Sequence, residues 1–386
     1  MTPPTVDVPA VDVRVVEAVV LRVPLKTPLR NAFGAMDARS ALLLALTDAK
    51  GRTGWGEVWC NFPTFGARHR ARLAHEIVGP MLTGAPALDP WTVAADLEAR
   101  LKTLALQTGE FGPLAQVIGG MEMAVWDLAG QAAHVPLHRL LGSARDRVPA
   151  YASGINPTDP AQTVRTAKAE GFRAFKLKVG FGKTRDLQNA AAVAATLRPG
   201  DVFMVDANQA WDAKTAAAMA DALQATGPVW LEEPLRADAS DAHWRAVAAA
   251  GIPLAAGENW RGLARFDRAI AAGWLTIAQP DAGKWGGLSG GLAVARQALG
   301  AGRRFCPHHL GGAVGLVAAA HLLCAAGGDG LLEVDSNANP LRTEMVGPLP
   351  PLEDGEFVLP DGPGLGVTPD LSALAPYHVP VARDGL

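Results

Sequence analysis

The part of the chain that most constrains the fold begins near Val148, where short apolar segments alternate with Ala-rich helical patterns. Strands separated by helices form a parallel sheet, and eight is the number that closes a β/α barrel. No clear long helix follows the last segment, so we predict an α/β fold with a (β/α)7β-type TIM barrel. An open doubly wound sheet is the alternative. The eight candidate strands are Val148–Ala152, Ala174–Val179, Val202–Val205, Val229–Leu231, Leu254–Ala256, Thr276–Gln279, Arg304–Cys306 and Leu331–Val334.

The residues before the barrel predict an α+β domain. Candidate strands at Val13–Val23 and Ala41–Asp48 flank a polar loop, Pro24–Arg39, and helical patterns follow. The chain after residue 339 is rich in Pro, Gly and Asp, which is typical of a tail that packs back on another unit. We therefore assign 1–147 to a capping domain, with 340–386 packing back on it, and 148–339 to the catalytic barrel.

Composition excludes several classes of protein. Hydrophobic residues make up 49% of the chain and the formal net charge is −3, so nothing favours binding to nucleic acid or to an anionic membrane. The apolar stretch Gly311–Gly328 is interrupted by His321 and glycines, and predicts a buried helix instead of a membrane span. The three cysteines form no CxxC pair, and the first ten residues do not resemble a signal peptide, so we expect a cytoplasmic protein.

Three acidic residues follow three consecutive candidate strands. The three acids are Asp206, Glu232 and Glu258. Successive acids are 26 residues apart, which is about the length of one β/α unit. Each acid therefore takes the same place at the carboxyl end of its strand, where barrel enzymes have their active sites. Three converging carboxylates would repel one another, and a hard cation such as Mg²⁺ would relieve this repulsion. The alternative is that each acid caps the helix that follows it.

Two lysines lie on the second candidate strand of the barrel. Because side chains alternate along a strand, Lys176 and Lys178 face the same side, and we expect them to point into the barrel mouth. Desolvation and a neighbouring cation would lower the pKa of a lysine there toward that of a useful base. Exposed lysines on an edge strand are the alternative, but a central parallel strand has no exposed face.

A carboxylate and an imidazole follow the sixth and seventh candidate strands. Asp281 and His308 are 27 residues apart, again about one β/α unit, so they can form a dyad that moves protons. A helix cap and a structural histidine are the alternative. Glu333, on the eighth strand, could donate a hydrogen bond to a substrate oxygen if it is protonated, or form a buried ion pair. The Gly-rich run Gly283–Gly291 fits a tight turn better than a phosphate cradle.

These motifs together resemble the enolase superfamily, and within it the mandelate racemase branch, over nearly the whole chain. The muconate-lactonising branch is similar but places a lysine where this chain has Asp281. The barrel motifs that carry the resemblance are Lys176-x-Lys178, Asp206-Ala207-Asn208-Gln209, Glu232-Glu233-Pro234, Gly257-Glu258-Asn259, Pro280-Asp281-Ala282-Gly283-Lys284 and Pro307-His308. In the N-terminal region, the motifs Gly54-Trp55-Gly56-Glu57 and Ala124-Val125-Trp126-Asp127-Leu128 resemble those of the capping domain.

The resemblance implies a Mg²⁺ enzyme that abstracts the proton α to a carboxylate and stabilises the enediolate on the metal. The implied roles are metal ligation for Asp206, Glu232 and Glu258, proton abstraction for Lys178 with Lys176 beside it, acid–base transfer on the opposite face for Asp281 and His308, and contact with substrate oxygens for Asn208 and Glu333. The Pro-His pattern and the 27-residue interval favour His308 over the adjacent His309, which is then a candidate substrate-binding residue.

The chemistry that follows proton abstraction depends on the substrate. A β-hydroxyl permits dehydration, reprotonation gives racemisation or epimerisation, and a lactone oxygen as leaving group gives cycloisomerisation. We favour dehydration of an acid sugar, an aldonate or aldarate, because this branch is rich in such enzymes. The loop around Arg30 and Asn31, with Trp59 nearby, also suits hydroxyl groups. A non-catalytic metal-binding relative is the remote alternative, and we expect a homo-oligomer because the family usually forms one.

Overall fold

The structure is a computed structural model, which describes residues 7–31, 34–349 and 351–381; the side chains of 26–35 lie outside the described residues. Its strands fall into an N-terminal antiparallel sheet and a long parallel sheet. The strands of the described chain are β1 Val13–Asn31, β2 Gly34–Asp48, β3 Thr53–Val58, β4 Arg147–Ile155, β5 Ala174–Lys178, β6 Val202–Asp206, β7 Leu231–Glu232, β8 Leu254–Ala256, β9 Leu275–Ala278, β10 Arg304–Phe305, β11 Leu332–Asp335 and β12 Glu356–Val358.

Helices surround the parallel sheet and cover the N-terminal sheet. The α helices of the described chain are α1 Gly66–Arg72, α2 Gly79–Thr83, α3 Val93–Thr108, α4 Phe111–Ala133, α5 Leu137–Leu140, α6 Pro160–Ala169, α7 Lys183–Ala194, α8 Ala213–Leu223, α9 Asp241–Ala248, α10 Leu263–Ala271, α11 Gly287–Gly300, α12 Ala313–Ala326 and α13 Pro340–Thr343. A π-helical segment, Leu73–Val78, joins α1 to α2. None of these helices is both long and apolar enough to span a bilayer.

The parallel sheet curls into the predicted barrel. Strands β4 to β10 pair in chain order, and β11 returns to pair with β4, so that Glu333 lies beside Tyr151. The edges β10 and β11 meet where the N–H of Leu331 donates to Cys306 Sγ at 3.3 Å. The alternation of strands and helices therefore gives the predicted barrel, and the open doubly wound alternative is wrong.

A layer of buried side chains fills the centre of the barrel. Because side chains alternate along each strand, the residue two positions further on also faces inward, nearer the mouth. The residues of this inner layer are Tyr151, Ala174, Met204, Trp230, Ala255, Ile277 and Cys306. The residues two positions beyond six of them are Ser153, Lys176, Asp206, Glu232, Gln279 and His308. The polar site thus rests directly on an apolar floor.

The predicted polar loop over 24–39 is largely a β hairpin, so this expectation is corrected. Strand β1 continues to Asn31 and β2 begins at Gly34, with a register irregularity between Pro24 and Leu29. Proline has no N–H to donate to a ladder, but β1 is the edge strand of its sheet and tolerates this loss. The hairpin brings the following part of β2 toward the barrel mouth.

Carboxylates of the N-terminal unit bind the N-termini of two barrel helices. Glu57 of β3 accepts a hydrogen bond from the N–H of Gly312 at 2.5 Å, at the start of α12. Glu122 of α4 accepts from the N–H groups of Leu288 and Ser289, at 2.7 and 2.8 Å, in the first turn of α11. The Gly-rich run Gly283–Gly291 therefore forms a turn and the first residues of α11. The N-terminus of this helix already binds a carboxylate of the chain itself, which a phosphate would have to displace.

The residues after β11 return to the N-terminal sheet and α4. The N–H of Val379 donates to the carbonyl of Val20 at 2.8 Å, and the N–H of Leu365 donates to Asp127 at 2.8 Å. Strand β12 pairs antiparallel with the start of β4. The domain boundaries at 147 and 340 stay a prediction.

Candidate active site

A cavity of about 410 Å³ opens at the carboxyl ends of the barrel strands, beneath the N-terminal unit. This volume suits a small organic ligand. Polar side chains from both units line it, and so do several of the predicted site residues. The lining residues are Met36, Arg39, Trp59, Asn61, Phe62, Ser153, Gly154, Asn156, Lys178, Asn208, Glu258, Asn259, Lys284, His308, Leu310, Glu333, Asp335 and Asn337.

The three predicted metal ligands lie side by side on neighbouring strands. Asp206 pairs with Glu232 in the register of β6 and β7, and both side chains are buried. Glu258 follows β8 after Gly257, whose φ of 140° is rarely open to a residue with a side chain. A Cβ at Gly257 would lie 2.7 Å from Phe266. The turn at Gly257 lets the Glu258 side chain reach the mouth, although Glu258 lies three residues beyond the inner-layer residue Ala255 and not two.

Both predicted lysines contact the acids. Lys176 Nζ lies 2.5 Å from Glu232 Oε1 and 2.8 Å from Glu333 Oε1, and Lys178 Nζ lies 2.5 Å from Asp206 Oδ2. Burial is the largest single effect and lowers the pKa of Lys178, but the charge and hydrogen bond of Asp206 together with the charge of Glu232 raise it more, so the net pKa is raised. The lowered lysine pKa was expected from burial together with a neighbouring cation, so it stays a prediction. A divalent cation bound to Asp206 would make the net charge beside Lys178 positive, and this would lower the pKa of the lysine.

The Asp281–His308 pair has the geometry of a proton-transfer dyad. His308 Nδ1 lies 2.6 Å from Asp281 Oδ2, and Nε2 lies 2.9 Å from Glu258 Oε2. Burial lowers the pKa of His308, but Glu258 and Glu333 raise it more, and the result is about 10. The imidazole is therefore protonated at neutral pH in this state, with Nδ1 paired to Asp281 and Nε2 paired to Glu258 at the cavity wall.

Glu333 is an ion-pair partner in this state and not a protonated donor. Burial raises its pKa, but Lys176 and His308 lower it more, so the net pKa falls below the usual glutamate value. The Ser153 hydroxyl also donates to Glu333 at 2.5 Å. Of the two interpretations made from the sequence, the buried ion pair is the one that this geometry matches.

The other predicted residues take different positions. Asn208 Nδ2 donates to Asp206 Oδ2 at 3.1 Å, and Trp59 forms part of the cavity wall. The His309 imidazole bonds to the carbonyl of Gly312 at 3.0 Å, away from Asp281. The geometry therefore brings His308, and not His309, to the aspartate. Arg30 lies among the residues whose side chains are outside the described part of the structure.

The structure adds residues to which the sequence assigned no role. Lys284 Nζ lies 2.9 Å from Glu258 Oε1 and 4.8 Å from the centre of the Trp59 ring. Arg39 of β2 forms an ion pair with Asp335 at the end of β11. Asp335 could have been found, because it lies two residues beyond Glu333 and shares its face of the strand. Arg39 has no comparable signal, since its partner is 296 residues away.

The donor set and its charge fit a divalent cation. In the described part of the chain, no group of three His, Cys, Asp or Glu lies at metal-binding spacing, and each candidate ligand contacts a lysine or histidine instead. The acids around the mouth outnumber the cations there by two. Burial and the neighbouring acids raise the pKa of Glu232 to about 7 and of Glu233 to about 8, as expected where carboxylates have too little positive charge nearby. The acids, all buried, are Asp206, Glu232, Glu233, Glu258, Asp281 and Glu333, and the cations are the buried Lys176, Lys284 and His308 and the partly buried Lys178.

Comparison with family models identifies the chain. The barrel, its capping sheet and the carboxylate-rich mouth define a β/α-barrel enzyme that carries an N-terminal cap. A model described as enolase C-terminal domain-like matches residues 159–373, and the N-terminal domain model of mandelate racemase / muconate lactonizing enzyme matches residues 11–142. The chain belongs to the mandelate racemase / muconate lactonizing enzyme family of the enolase superfamily.

Curated relatives act on acid sugars and their lactones. D-galactarolactone cycloisomerase of Agrobacterium fabrum is 31% identical, over 92% of this chain and 96% of that protein. L-talarate/galactarate dehydratase of Salmonella typhimurium is 33% identical over 67% of this chain and 65% of that protein. D-galactonate dehydratase of Xanthomonas axonopodis is 30% identical over 73% of this chain and 74% of that protein.

Solved structures of relatives share the whole fold. The structure of a mandelate racemase/muconate lactonizing enzyme from Bordetella bronchiseptica is 48% identical, with a TM-score of 0.90, and covers 96% of this chain and 100% of that chain. An enolase from Bradyrhizobium, complexed with magnesium and mandelic acid, is 32% identical with a TM-score of 0.84, and covers 97% of this chain and 100% of that chain.

Proposed function

We propose that this enzyme dehydrates an acid sugar, an aldonate or aldarate, by removing the proton α to its carboxylate and expelling the β-hydroxyl as water. The observation that carries this proposal is the placement of two proton-transfer groups, Lys178 and His308, on the wall of one cavity. The buried carboxylates Asp206 and Glu258 contact them.

The proposed proton transfers balance across the cavity. A neutral Lys178 Nζ accepts the α-proton, and the C–H electron pair forms the new double bond as the C–O bond to the β-hydroxyl breaks. His308 Nε2 donates its proton to the departing oxygen, which leaves as water. Asp281 keeps the imidazole oriented through Nδ1, at 2.6 Å. The enol product then becomes the 2-keto-3-deoxy acid.

We further propose that Asp206, Glu232 and Glu258 hold a Mg²⁺ ion. The bound ion would supply positive charge to stabilise the substrate carboxylate as negative charge develops on it. Support comes from the excess of buried carboxylates and from the relative that is complexed with magnesium. Asn208 lines the cavity and would contact the substrate carboxylate. Lys176 is buried between Glu232 and Glu333, and Glu333 also accepts from Ser153.

A second candidate is lactone cycloisomerisation. The cycloisomerase relative matches 92% of this chain, whereas the dehydratase relatives match 67% and 73%. The same first step serves both reactions, since only the leaving group differs: a hydroxyl in dehydration and the lactone ring oxygen in cycloisomerisation.

Product analysis on a panel of aldonates, aldarates and their lactones, with Mg²⁺, tests the proposal. We expect a 2-keto-3-deoxy acid from at least one open-chain acid, observed by proton NMR. A linear keto acid formed only from a lactone would favour the cycloisomerase. Absence of turnover together with absence of α-proton exchange in ²H₂O, for every acid, would contradict the enzyme assignment.

We also propose a cytoplasmic homo-oligomer that binds a small carboxylate and neither nucleic acid nor membrane. Support for the compartment comes from Cys60, Cys306 and Cys324, which are buried and unpaired, as is usual in a reducing environment. The oligomer rests on the family resemblance, and sedimentation velocity tests it; a monomer at micromolar concentration would contradict it.

A further inference from the structure

The far wall of the cavity is built around an ion pair that joins the two units. Arg39 comes from β2 and Asp335 from the end of β11, and only 4% of each residue is exposed. Asp335 lies two residues beyond Glu333, roughly 7 Å further along the strand at 3.3 Å per residue. The pair therefore lies nearer the cavity opening than Glu333, where the distal carbons of a bound acid would lie.

Amide groups continue this wall beside Asp335. Asn337 Nδ2 donates to Asp335 Oδ1 at 2.8 Å and to the carbonyl of Gly154 at 3.1 Å. Asn156 Nδ2 in turn donates to Asn337 Oδ1 at 2.9 Å. All these residues line the cavity. Most of these groups already bond to one another, so the wall is a neutral polar surface, which a hydroxyl group can meet as either donor or acceptor.

The two ends of the cavity differ in charge. The inner end presents the cations Lys178, Lys284 and His308 beside carboxylates. At the far wall, among the residues whose side chains are described, the positive charge of Arg39 is already neutralised by Asp335. A carboxylate there would lose its hydration and meet a second carboxylate, which is costly, whereas a hydroxyl would not.

We propose that the Arg39–Asp335 pair makes the far wall specific for an uncharged polyol end, so that the enzyme selects aldonates over aldarates. This inference rests on the proposed function, because it assumes that an acid sugar binds with its reacting carboxylate at the inner end. It names Arg39 and Asp335 as specificity-determining residues of that site.

The experiment compares two matched pairs of six-carbon acids, D-galactonate with galactarate and D-gluconate with D-glucarate. Both kcat/KM and Kd, the latter by calorimetry with Mg²⁺, are measured for the wild type and for Asp335→Asn. The substitution keeps the side-chain shape and an oxygen acceptor but leaves the charge of Arg39 uncompensated. We expect a wild-type preference for the aldonates, and a shift of at least tenfold toward the aldarates in the variant.

Asp329→Asn is the matched control, since Asp329 also pairs with an arginine, Arg304, but at the opposite end of the barrel strands. We expect its aldonate-to-aldarate ratio to equal that of the wild type. A wild-type preference for aldarates, a ratio that shifts less than tenfold in Asp335→Asn, or no binding of any of the four acids would overturn the inference. Selective binding without turnover would sustain it and contradict the proposed dehydration.

Discussion

Single inward-facing positions define most of the candidate site. Lys176, Asp206, Glu232 and His308 each lie two residues beyond a member of the apolar layer that fills the barrel. Strand alternation therefore lets the sequence alone place them in the mouth. Their ion pairs could not be read in the same way, because the partner of each lysine depends on the three-dimensional order of the strands.

Removal of the proposed base separates its role from metal binding. In Lys178→Met we expect kcat to fall by a factor of about 10² to 10⁴. Mg²⁺ affinity should be equal or higher, because the variant loses a cation that lies 2.5 Å from Asp206. Steady-state kinetics and calorimetry measure the two effects. Lys183→Met, which replaces an exposed lysine, is the control. Loss of Mg²⁺ binding in Lys178→Met would contradict the assigned role.

A buried histidine should make stability depend on pH. His321 Nδ1 accepts from the backbone N–H of His138 at 3.0 Å, and Nε2 donates to the carbonyl of Leu365 at 3.1 Å. Burial lowers the pKa of His321 to about 3, although the Leu365 hydrogen bond raises it somewhat. The unfolded chain, with a histidine pKa near 6.5, therefore binds more protons between these values. This contribution to stability is complete above pH 6.5 and falls as the pH drops toward 3.

The slope is about 1.4 kcal/mol per pH unit for one proton. Urea unfolding at pH 7.5 and pH 5 measures it. We expect His321→Gln to be less sensitive to this change than the wild type, and His75→Gln, an exposed control, to match the wild type. Equal pH dependence in the wild type and His321→Gln would show that another group is responsible.

At the scale of elements, the helices α11 and α12 are joined to the N-terminal unit by carboxylates at their N-termini. A helix N-terminus carries unpaired N–H groups and partial positive charge. The carboxylates of Glu57 and Glu122 accept hydrogen bonds from these N–H groups and also interact favourably with the positive charge. The partners are 255 and 166 residues apart in the chain, which explains why no local pattern predicts them.

Glu57→Gln should weaken the attachment of α12. Glutamine keeps one acceptor oxygen but replaces the other with an NH₂ group, and Glu57 accepts from both Gly312 and Gly315. We expect the free energy of unfolding to fall by about 1–3 kcal/mol, measured by urea denaturation. Glu17→Gln, on the exposed face of β1, is the control. A change below about 0.5 kcal/mol in Glu57→Gln would argue against this role.

The elements that the sequence predicted well are those with a repeated local pattern. Barrel strands and helices alternate in apolar periodicity, so β5 and β8 fall within one residue of the predicted bounds. The predicted first strand ends at Val23, before Pro24, yet β1 continues to Asn31. An edge strand loses little when one N–H is missing, and sequence alone does not reveal that β1 is an edge.

A ligand that binds only the folded chain raises the stability of that chain by mass action. Mg²⁺ at 100 times its Kd should raise the free energy of unfolding by about 2.7 kcal/mol. For a chain of 386 residues this corresponds to a rise in Tm of about 3 °C. Differential scanning calorimetry with Mg²⁺ and with EDTA measures the difference.

Asp206→Asn should remove this Mg²⁺-dependent rise, whereas Asp221→Asn, an exposed substitution on α8, should preserve it. A rise that is equal in Asp206→Asn and in the wild type would place the ion elsewhere. A wild-type Tm that is independent of Mg²⁺ would contradict the proposed metal site.

The Arg39–Asp335 pair has an evolutionary consequence. Its two members belong to units that meet only after folding. Without its partner, each side chain would be a buried and unpaired charge. A substitution at either position alone is therefore expected to reduce fitness unless the second position changes with it. Across homologous sequences, positions 39 and 335 should vary together, so that the charge at one predicts the charge at the other.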